Sequence, residues 1–156
     1  MINTNKTINL SEVAQTASQY YKDGDFYCSE ALIKTIKDTF EIDMPDEIIA
    51  MASGFPQGIG ASGCTCGALS GGVMALGMIF GRTKPKGEEV AKAMELSNEL
   101  HDQFRALNKV ACCRILIKNV EYASEAHVQQ CAKFTGEMTY ETAKIICREK
   151  NIPFVE

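Results

Sequence analysis

The spacing of apolar residues predicts helices along nearly the whole chain. Asn9 is placed to cap a first helix that runs to about Tyr21, and Glu12 stands in the capping-box position. A second helix begins at Cys28, where apolar residues follow at three, four and eight positions beyond the cysteine. Cys28 is therefore predicted to lie on a buried face near a helix start. No segment alternates polar and apolar residues for long enough to predict a strand.

The middle of the chain is predicted to hold the central helix. A short third helix has Pro45 in its first turn and ends near Gly54. The glycine-rich stretch FPQGIGASG follows, and after it a helix from about Cys66 to Phe80 is apolar on most sides. We expect Gly81 to end that helix with a positive φ. The methionines at positions 74, 78 and 94 fit core packing.

Further helices are predicted in the C-terminal half. A long amphipathic helix runs from Glu88 to about Leu107, and CCRILIKN forms a short helix or turn. Ser124 is placed to cap a helix across Cys131, and Thr139 a separate one across Cys147. The last helix ends at the stop signals Asn151 and Pro153. The predicted fold is all-α, a single domain over residues 1–156 with about six or seven helices around a central Gly/Ala-rich helix.

Bulk composition narrows the function classes. A chain of 156 residues can build a hydrophobic core without disulfide staples. The net charge is −4 and there is no basic block, so neither nucleic acid nor an anionic membrane is an expected partner. The uncharged stretch 48–81 contains the continuous apolar run VMALGMIF, which is too short to cross a bilayer. We therefore expect a buried helix there.

Seven cysteines are the unusual feature of the sequence. The first ten residues lack the cationic start and apolar run of a secretory signal, so a cytoplasmic location is expected. Stable disulfides are disfavoured in that compartment, and an odd number fits a closed disulfide framework poorly. Metal binding or redox chemistry is the better explanation. The cysteines are Cys28, Cys64, Cys66, Cys112, Cys113, Cys131 and Cys147.

Cysteine spacing favours some roles over others. Cys64 and Cys66 are one residue apart and Cys112 and Cys113 are adjacent, so each pair would form a strained disulfide but could supply ligands to one metal or cluster. Cys28 and Cys66 stand near helix N-termini, whose free N–H groups favour anions. The absence of a CxxC pair counts against a zinc ribbon or a thioredoxin-like site. Core packing explains Cys147 equally well.

The two histidines are weaker candidates. His101 lies on the long amphipathic helix, where a solvated or capping role is favoured over metal ligation, and His127 carries less signal still. The residues alone leave three functions open: an iron–sulfur protein, a metal-free thiol–disulfide oxidoreductase with a low-pKa Cys66, and a binding protein for Zn²⁺ or Cu⁺. No donor, acceptor or substrate follows from the sequence.

Four stretches carry a resemblance to a known family: YCSEALI, GIGASGCTCGALSGGVMALGMIFGR, CRIL and CAKF. In the order and spacing of their cysteines they resemble the redox-active family called C_GCAxxG_C_C, over roughly residues 10 to 147. Part of the split-Soret cytochromes c is also similar, although no CxxCH haem signature occurs here. The family name's Gly-Cys-Ala is absent. Cys66 matches instead, because Ala68-x-x-Gly71 follows it.

This resemblance implies a mostly helical, anaerobe-associated protein that binds an iron–sulfur cluster or performs thiol redox chemistry. It implies that Cys28, Cys66, Cys113 and Cys131 are the ligands, and it leaves Cys64, Cys112 and Cys147 to enlarge the cluster, to supply alternate ligands or to do neither. Four thiolates suit a [4Fe–4S] or a [2Fe–2S] cluster and seven leave room for a larger one, so we expect a [4Fe–4S] or larger cluster with Cys64 and Cys112 among its candidate ligands. It further implies electron transfer or redox sensing with a redox partner protein, and favours a homodimer.

Overall fold

Helices make up most of the structure, a computed structural model that describes residue 2 and residues 5–156. The all-α prediction is confirmed, since seven helices occur in this described part and the one sheet has two short strands. In chain order the elements are β1 (Ile8–Asn9), α1 (Leu10–Lys22), α2 (Cys28–Thr39), α3 (Glu47–Ala50), α4 (Gly67–Phe80), α5 (Glu89–Asn108), α6 (Cys113–Leu116), α7 (Glu125–Lys150) and β2 (Phe154–Val155).

The helix ends follow local capping chemistry. Asn9 Oδ1 accepts a hydrogen bond from the Glu12 N–H at 3.1 Å, so the predicted cap of α1 is confirmed. Ser124 Oγ accepts from the His127 N–H at 3.2 Å and caps α7 in the same way. Asn151 adopts φ 54° and ends α7 in the left-handed conformation. These three helix ends could be predicted from the sequence because each depends on residues within one helical turn.

α4 is the central helix, as predicted, and its glycines set how closely its neighbours approach. It packs against α2, α5 and α7. A Cβ on Gly71 would lie 2.9 Å from Ser29 Cα of α2, and a Cβ on Gly72 would lie 2.8 Å from Thr142 Oγ1 of α7. Helix backbones at such spacing leave no room for larger residues. The start of α4 is thereby held against the first turn of α2.

The C-terminal region corrects one prediction. The two helices expected at Ser124 and Thr139 are one continuous helix, α7. Thr139 does not cap anything, because its hydroxyl donates back to the Thr135 carbonyl at 2.6 Å inside the helix. Gly136, which weakens a helical pattern, is instead explained by α1: a Cβ there would collide with Ser18 Oγ. Tertiary packing therefore overrides the local break signal.

Two other local predictions were wrong, and two short strands were not predicted. Gly81 has φ −75° rather than a positive φ, and its N–H completes the helix by donating to the Gly77 carbonyl at 2.8 Å. α3 begins after Pro45 and ends at Ala50, and the chain then continues as turns. The unpredicted strands β1 and β2 pair in parallel, Ile8 with Phe154, and are too short to give a period-two signal.

The uncharged stretch 48–81 contains α4 and is partly buried, with Met51 64% and Val73 37% exposed. Seven residues of α4 are buried against other helices. None of the described helices is both long enough and apolar enough to cross a bilayer.

Candidate functional site

Four cysteines that are far apart in the sequence line one cavity. Cys28, Cys66, Cys113 and Cys131 surround a space of about 240 Å³. An engineered cavity of about 150 Å³ is large enough to hold benzene, so this one exceeds the needs of a single metal ion. The exposed fractions of Cys28, Cys66 and Cys113 are 9%, 6% and 9%, and Cys131 is partly buried.

Each of the four thiols comes from a different helix. Cys28 is the first residue of α2, Cys66 is the N-cap of α4 and Cys113 is the first residue of α6. Cys131 lies in the second turn of α7. Three of the four therefore stand where a helix begins and backbone N–H groups are still free to bond to sulfur.

The loop before α4 forms one wall of the cavity. Residues 57–61 all have positive φ, including the non-glycine residues Gln57 at 56°, Ile59 at 67° and Ala61 at 64°. Each such residue costs about 1–2 kcal/mol, so the surrounding contacts must hold the turn in place. Gly58 has φ 71°, and a Cβ on it would lie 2.8 Å from Cys113 Cβ. Glycine at this position lets the loop approach the thiol.

A short antiparallel bridge places two of the thiols side by side. Thr65 pairs with Cys112. The Cys66 N–H donates to the Ala111 carbonyl at 2.8 Å, and the Cys113 N–H donates to the Cys64 carbonyl. This bridge fixes the start of α4 against the start of α6, with Cys66 and Cys113 both facing the cavity.

Burial dominates the electrostatics of the Cys28 and Cys66 thiols. It raises the pKa of Cys28 to about 12, against the opposing effect of backbone hydrogen bonds from Ser29 and Gln57. Burial raises the pKa of Cys66 further, although backbone groups of Ala68 and Leu69 bond to its sulfur. The expected low-pKa thiol at Cys66 is therefore wrong for the metal-free protein, because loss of hydration outweighs the helix N-terminus.

The other two cavity thiols are also held protonated. Burial raises the pKa of Cys113, and its neighbour Cys112 adds to the effect. Burial likewise raises the pKa of Cys131, while a hydrogen bond from the Tyr21 hydroxyl opposes the rise. Cys28, Cys113 and Cys131 each raise the pKa of at least one other cavity thiol, so these sites are close enough to interact through their charges.

His127 contacts Cys131 from the preceding turn of α7. Its Nδ1 accepts a hydrogen bond from the Ala123 N–H at 3.3 Å, so in the neutral ring Nε2 carries the proton. Nε2 lies 3.5 Å from Cys131 Sγ and can donate to it. Burial lowers the pKa of His127, which favours the neutral form. Cys131 therefore has two side-chain donors, whereas Cys28 and Cys66 rely on backbone donors.

The remaining predicted site residues lie outside this cavity. Cys64 is exposed, Cys112 is partly buried with Sγ 3.3 Å from the Gly63 carbonyl, and neither lines the cavity. Cys147 is buried in the core on α7, away from the cavity. His101 is on the surface of α5, with Nδ1 3.0 Å from Asp102 Oδ1.

Sequence reasoning missed several residues of the cavity wall. Tyr21, Tyr122 and His127 all line it, and the His127 and Tyr122 rings lie 4.9 Å apart. For His127 a signal existed: His127, Cys131 and Phe134 share one helical face at positions i, i+4 and i+7, and all three line the cavity. Tyr21 had no comparable signal, because its contact with Cys131 depends on how α1 packs on α7.

The possible ligands and the charge at the cavity wall indicate what kind of metal group the cavity could hold. In residues 2 and 5–156, no three His, Cys, Asp or Glu side chains approach closely enough to hold one metal ion. Arg114 is the one formally charged side chain among those that line the cavity in this part of the chain. A positive charge at the wall suits an anionic group held by thiolates.

The buried thiols predict a pH dependence of stability. In reduced, metal-free protein, Cys28 keeps its proton to about pH 12 when folded, whereas an unfolded cysteine releases it near about pH 8.5. Between these values the folded state binds more protons, so the free energy of unfolding falls as pH rises, by up to about 1.4 kcal/mol per pH unit from this group. Urea unfolding from pH 8 upward measures the slope. The Cys28→Ser variant should show a shallower one, and equal slopes would contradict the assignment.

Comparison with known proteins gives one match. The model of the family described as "Putative redox-active protein (C_GCAxxG_C_C)" matches residues 26–145, which is more than half of the chain and includes all four cavity cysteines. No curated protein and no solved structure matches the chain. On the strength of the family match, the chain belongs to the C_GCAxxG_C_C family of redox-active proteins.

Proposed function

We propose that the protein is an iron–sulfur protein that transfers electrons or senses redox state, with Cys28, Cys66, Cys113 and Cys131 as ligands to one [4Fe–4S] cluster. The observation that carries the proposal is the convergence of four thiols from four helices on one cavity. Cysteine thiolates in this number are the usual ligands of such clusters. When bound, a cluster supplies one-electron oxidation and reduction.

The donor set and the cavity suit a group larger than one ion. The cavity has a volume of about 240 Å³, which is more room than one ion needs. Four thiols around a space of this size favour a cluster over a single Zn²⁺ or Cu⁺ ion, whose ligands converge on one point. Cys64 and Cys112 lie outside the cavity, so the four-ligand cluster is favoured over a larger one.

The protein's own groups would tune such a site. Backbone donors approach Cys28 and Cys66, and Tyr21 and His127 approach Cys131. Hydrogen bonds to sulfur stabilise the more negative state and so raise a reduction potential. Burial of the cysteines excludes water and lowers the potential. The distribution of donors differs among the four sulfurs, so the cluster would have an asymmetric environment.

Metal-free thiol–disulfide exchange within the cavity is the second candidate and is less well supported. A nucleophilic cysteine must ionise near neutral pH. Burial instead raises the pKa of all four cavity thiols. Binding of a metal would remove those protons, because a coordinated thiol is deprotonated.

Electron transfer requires a partner, and two surfaces are available for contact. Tyr27 and Tyr122 line the cavity and are 50% and 55% exposed, which gives a redox partner protein an aromatic rim close to the sulfurs. A second surface is formed by Val73 of α4 and Met94 of α5, which is 67% exposed rather than packed in the core as expected.

We also propose a homodimer, which the family resemblance favours, and the exposed face of α4 supports it. Among the described residues, a Cβ on Gly77 would meet nothing within 4 Å, so packing within this part of the chain does not explain this helix-interior glycine, which costs about 1 kcal/mol relative to alanine. A second copy crossing at Gly77 would explain it. Sedimentation of the wild type beside Val73→Glu checks this, since the charge should shift a dimer to monomer.

The first experiment is purification without oxygen, followed by the visible spectrum and analysis of iron, zinc and acid-labile sulfide. We expect a broad brown absorption, with iron and sulfide in similar amounts and about four irons per chain. Colourless protein without metal would contradict the cluster and favour metal-free thiol–disulfide exchange. Zinc or copper alone would overturn the cluster in favour of soft-metal binding.

A further inference from the structure

One thiol stands outside the cavity and open to solvent, Cys64. We propose that Cys64 and Cys113 form a reversible dithiol–disulfide pair, in which Cys64 reacts with small anionic disulfides of the glutathione type and Cys113 resolves the product. The pair would be a modification site at the edge of the cavity, and it shares Cys113 with the proposed cluster ligands.

The antiparallel bridge supplies the geometry. Because Thr65 pairs with Cys112, the next residues opposite each other are Cys64 and Cys113, and the Cys113 N–H donates to the Cys64 carbonyl. In a hydrogen-bonded antiparallel pair the two opposed residues point to the same face, and their Cα atoms lie about 5.5 Å apart. A disulfide needs Cα atoms about 4.4–6.8 Å apart. The pair can therefore close with small adjustments.

Gly58 packs against both cysteines. The position that a Cβ on Gly58 would occupy lies 2.8 Å from Cys113 Cβ and in contact with the Cys64 backbone nitrogen. Any larger residue at this position would therefore press on both members of the pair. Cys64 Sγ lies 4.0 Å from Thr65 Oγ1, so disulfide formation requires it to leave this contact and move toward Cys113.

Solvent exposure determines which of the two thiols reacts first. Cys64 is exposed, whereas Cys113 is 9% exposed and faces the cavity. An external disulfide therefore meets Cys64 first. Arg114 lies beside this segment, since a Cβ on Gly63 would be 3.1 Å from Arg114 Cβ and Nε. Its guanidinium favours an anionic disulfide and stabilises a departing thiolate.

Cys112 is the competing resolving thiol and the geometry disfavours it. It shares its face of the bridge with Thr65, opposite to the face of Cys64 and Cys113. Its Sγ also lies 3.3 Å from the Gly63 carbonyl, to which the thiol donates. Cys112 therefore serves as the matched control for Cys113, one residue away in the sequence.

The chemistry balances in two exchange steps. The Cys64 thiolate attacks the external disulfide, forms a mixed disulfide and releases one small thiolate. Burial raises the pKa of Cys113 and keeps its thiolate fraction small, but the second attack is intramolecular. The Cys113 thiolate that forms as the thiol loses its proton to solvent attacks the Cys64 sulfur, closes the Cys64–Cys113 disulfide and releases the second small thiolate. The protein loses two electrons and two protons, and the external disulfide becomes two thiols.

One consequence rests on the proposed function. Cys113 cannot be bonded to Cys64 and ligate a cluster at once, so oxidation of the pair would expel the cluster. The same reaction is expected without any cluster, because it requires only the two thiols. Thiol chemistry and chromophore loss can therefore be followed separately.

The test adds oxidised glutathione to the anaerobically purified full-length protein and follows glutathione release, protein-bound glutathione by mass spectrometry, and the visible spectrum. The wild type should release two thiols per chain and retain none. Cys113→Ser should retain one glutathione on Cys64, while Cys112→Ser should behave as the wild type. Cys64→Ser should react at about one tenth of the wild-type rate or more slowly still, because the cavity thiols are buried.

Two results would overturn the pair: wild-type kinetics in Cys64→Ser, or trapping of the mixed disulfide in Cys112→Ser instead of Cys113→Ser. If the purified protein is colourless but the thiol counts hold, the proposed function fails and the pair stands. If a coloured protein keeps its colour and Cys64 stays unmodified, the pair fails and the cluster stands.

Discussion

Replacing Cys66 or Cys113 with serine is expected to remove the brown chromophore and at least about nine tenths of the bound iron. Both cysteines line the cavity at a helix start, and they come from segments joined by one antiparallel bridge. A serine hydroxyl keeps the size of the side chain but is a far poorer ligand for iron than a thiolate. Even changes outside the ligand shell cost about 10–100-fold in metal affinity, so loss of a ligand should exceed this.

Two other cysteines provide the controls. Cys147 is buried but does not line the cavity, and Cys64 is exposed at its edge. Cys147→Ser and Cys64→Ser should both keep the iron and sulfide of the wild type when purified without oxygen. Circular dichroism confirms that each variant is folded. A fully coloured Cys66→Ser/Cys113→Ser double variant would refute the ligand assignment.

The helices could be predicted wherever the determining residues lie within one turn. The Asn9 and Ser124 caps and the apolar stripe after Cys28 are local signals, and the structure confirms them. The continuity of α7 through Gly136 could not be predicted, because this glycine is explained by its close contact with Ser18 on α1. The strands β1 and β2 depend on the two ends of the chain meeting, which local periodicity does not encode.

The resemblance singled out four cysteines, Cys28, Cys66, Cys113 and Cys131, and these are the four that line the cavity. The positions of Cys64, Cys112 and Cys147 outside the cavity could not be predicted, because they depend on tertiary structure. The same holds for Tyr21 and its hydrogen bond to Cys131. The raised pKa of Cys66 shows the limit of local reasoning most clearly, because a helix start predicts the opposite direction and burial decides it.

Gly67→Ala is expected to disable the site from a position that carries no functional group. A Cβ on Gly67 would collide with Cys28 Sγ and lie 3.1 Å from the Phe55 carbonyl oxygen, so α4 and α2 could not keep their spacing at the cavity. Overpacking of this kind costs about 1–3 kcal/mol in unfolding free energy. It also displaces the thiol of Cys28, so we expect iron per folded chain to fall at least about tenfold.

Gly71→Ala separates the loss of stability from the loss of the site. One turn further along α4, its Cβ would also press on α2, 2.9 Å from Ser29 Cα, but it would touch no thiol. Both variants should therefore lose similar stability in urea unfolding, and only Gly67→Ala should lose iron from the protein that remains folded. Equal iron loss in both would mean that general helix spacing controls cluster retention. Full iron in Gly67→Ala would mean that Cys28 does not need its present position and is not a ligand.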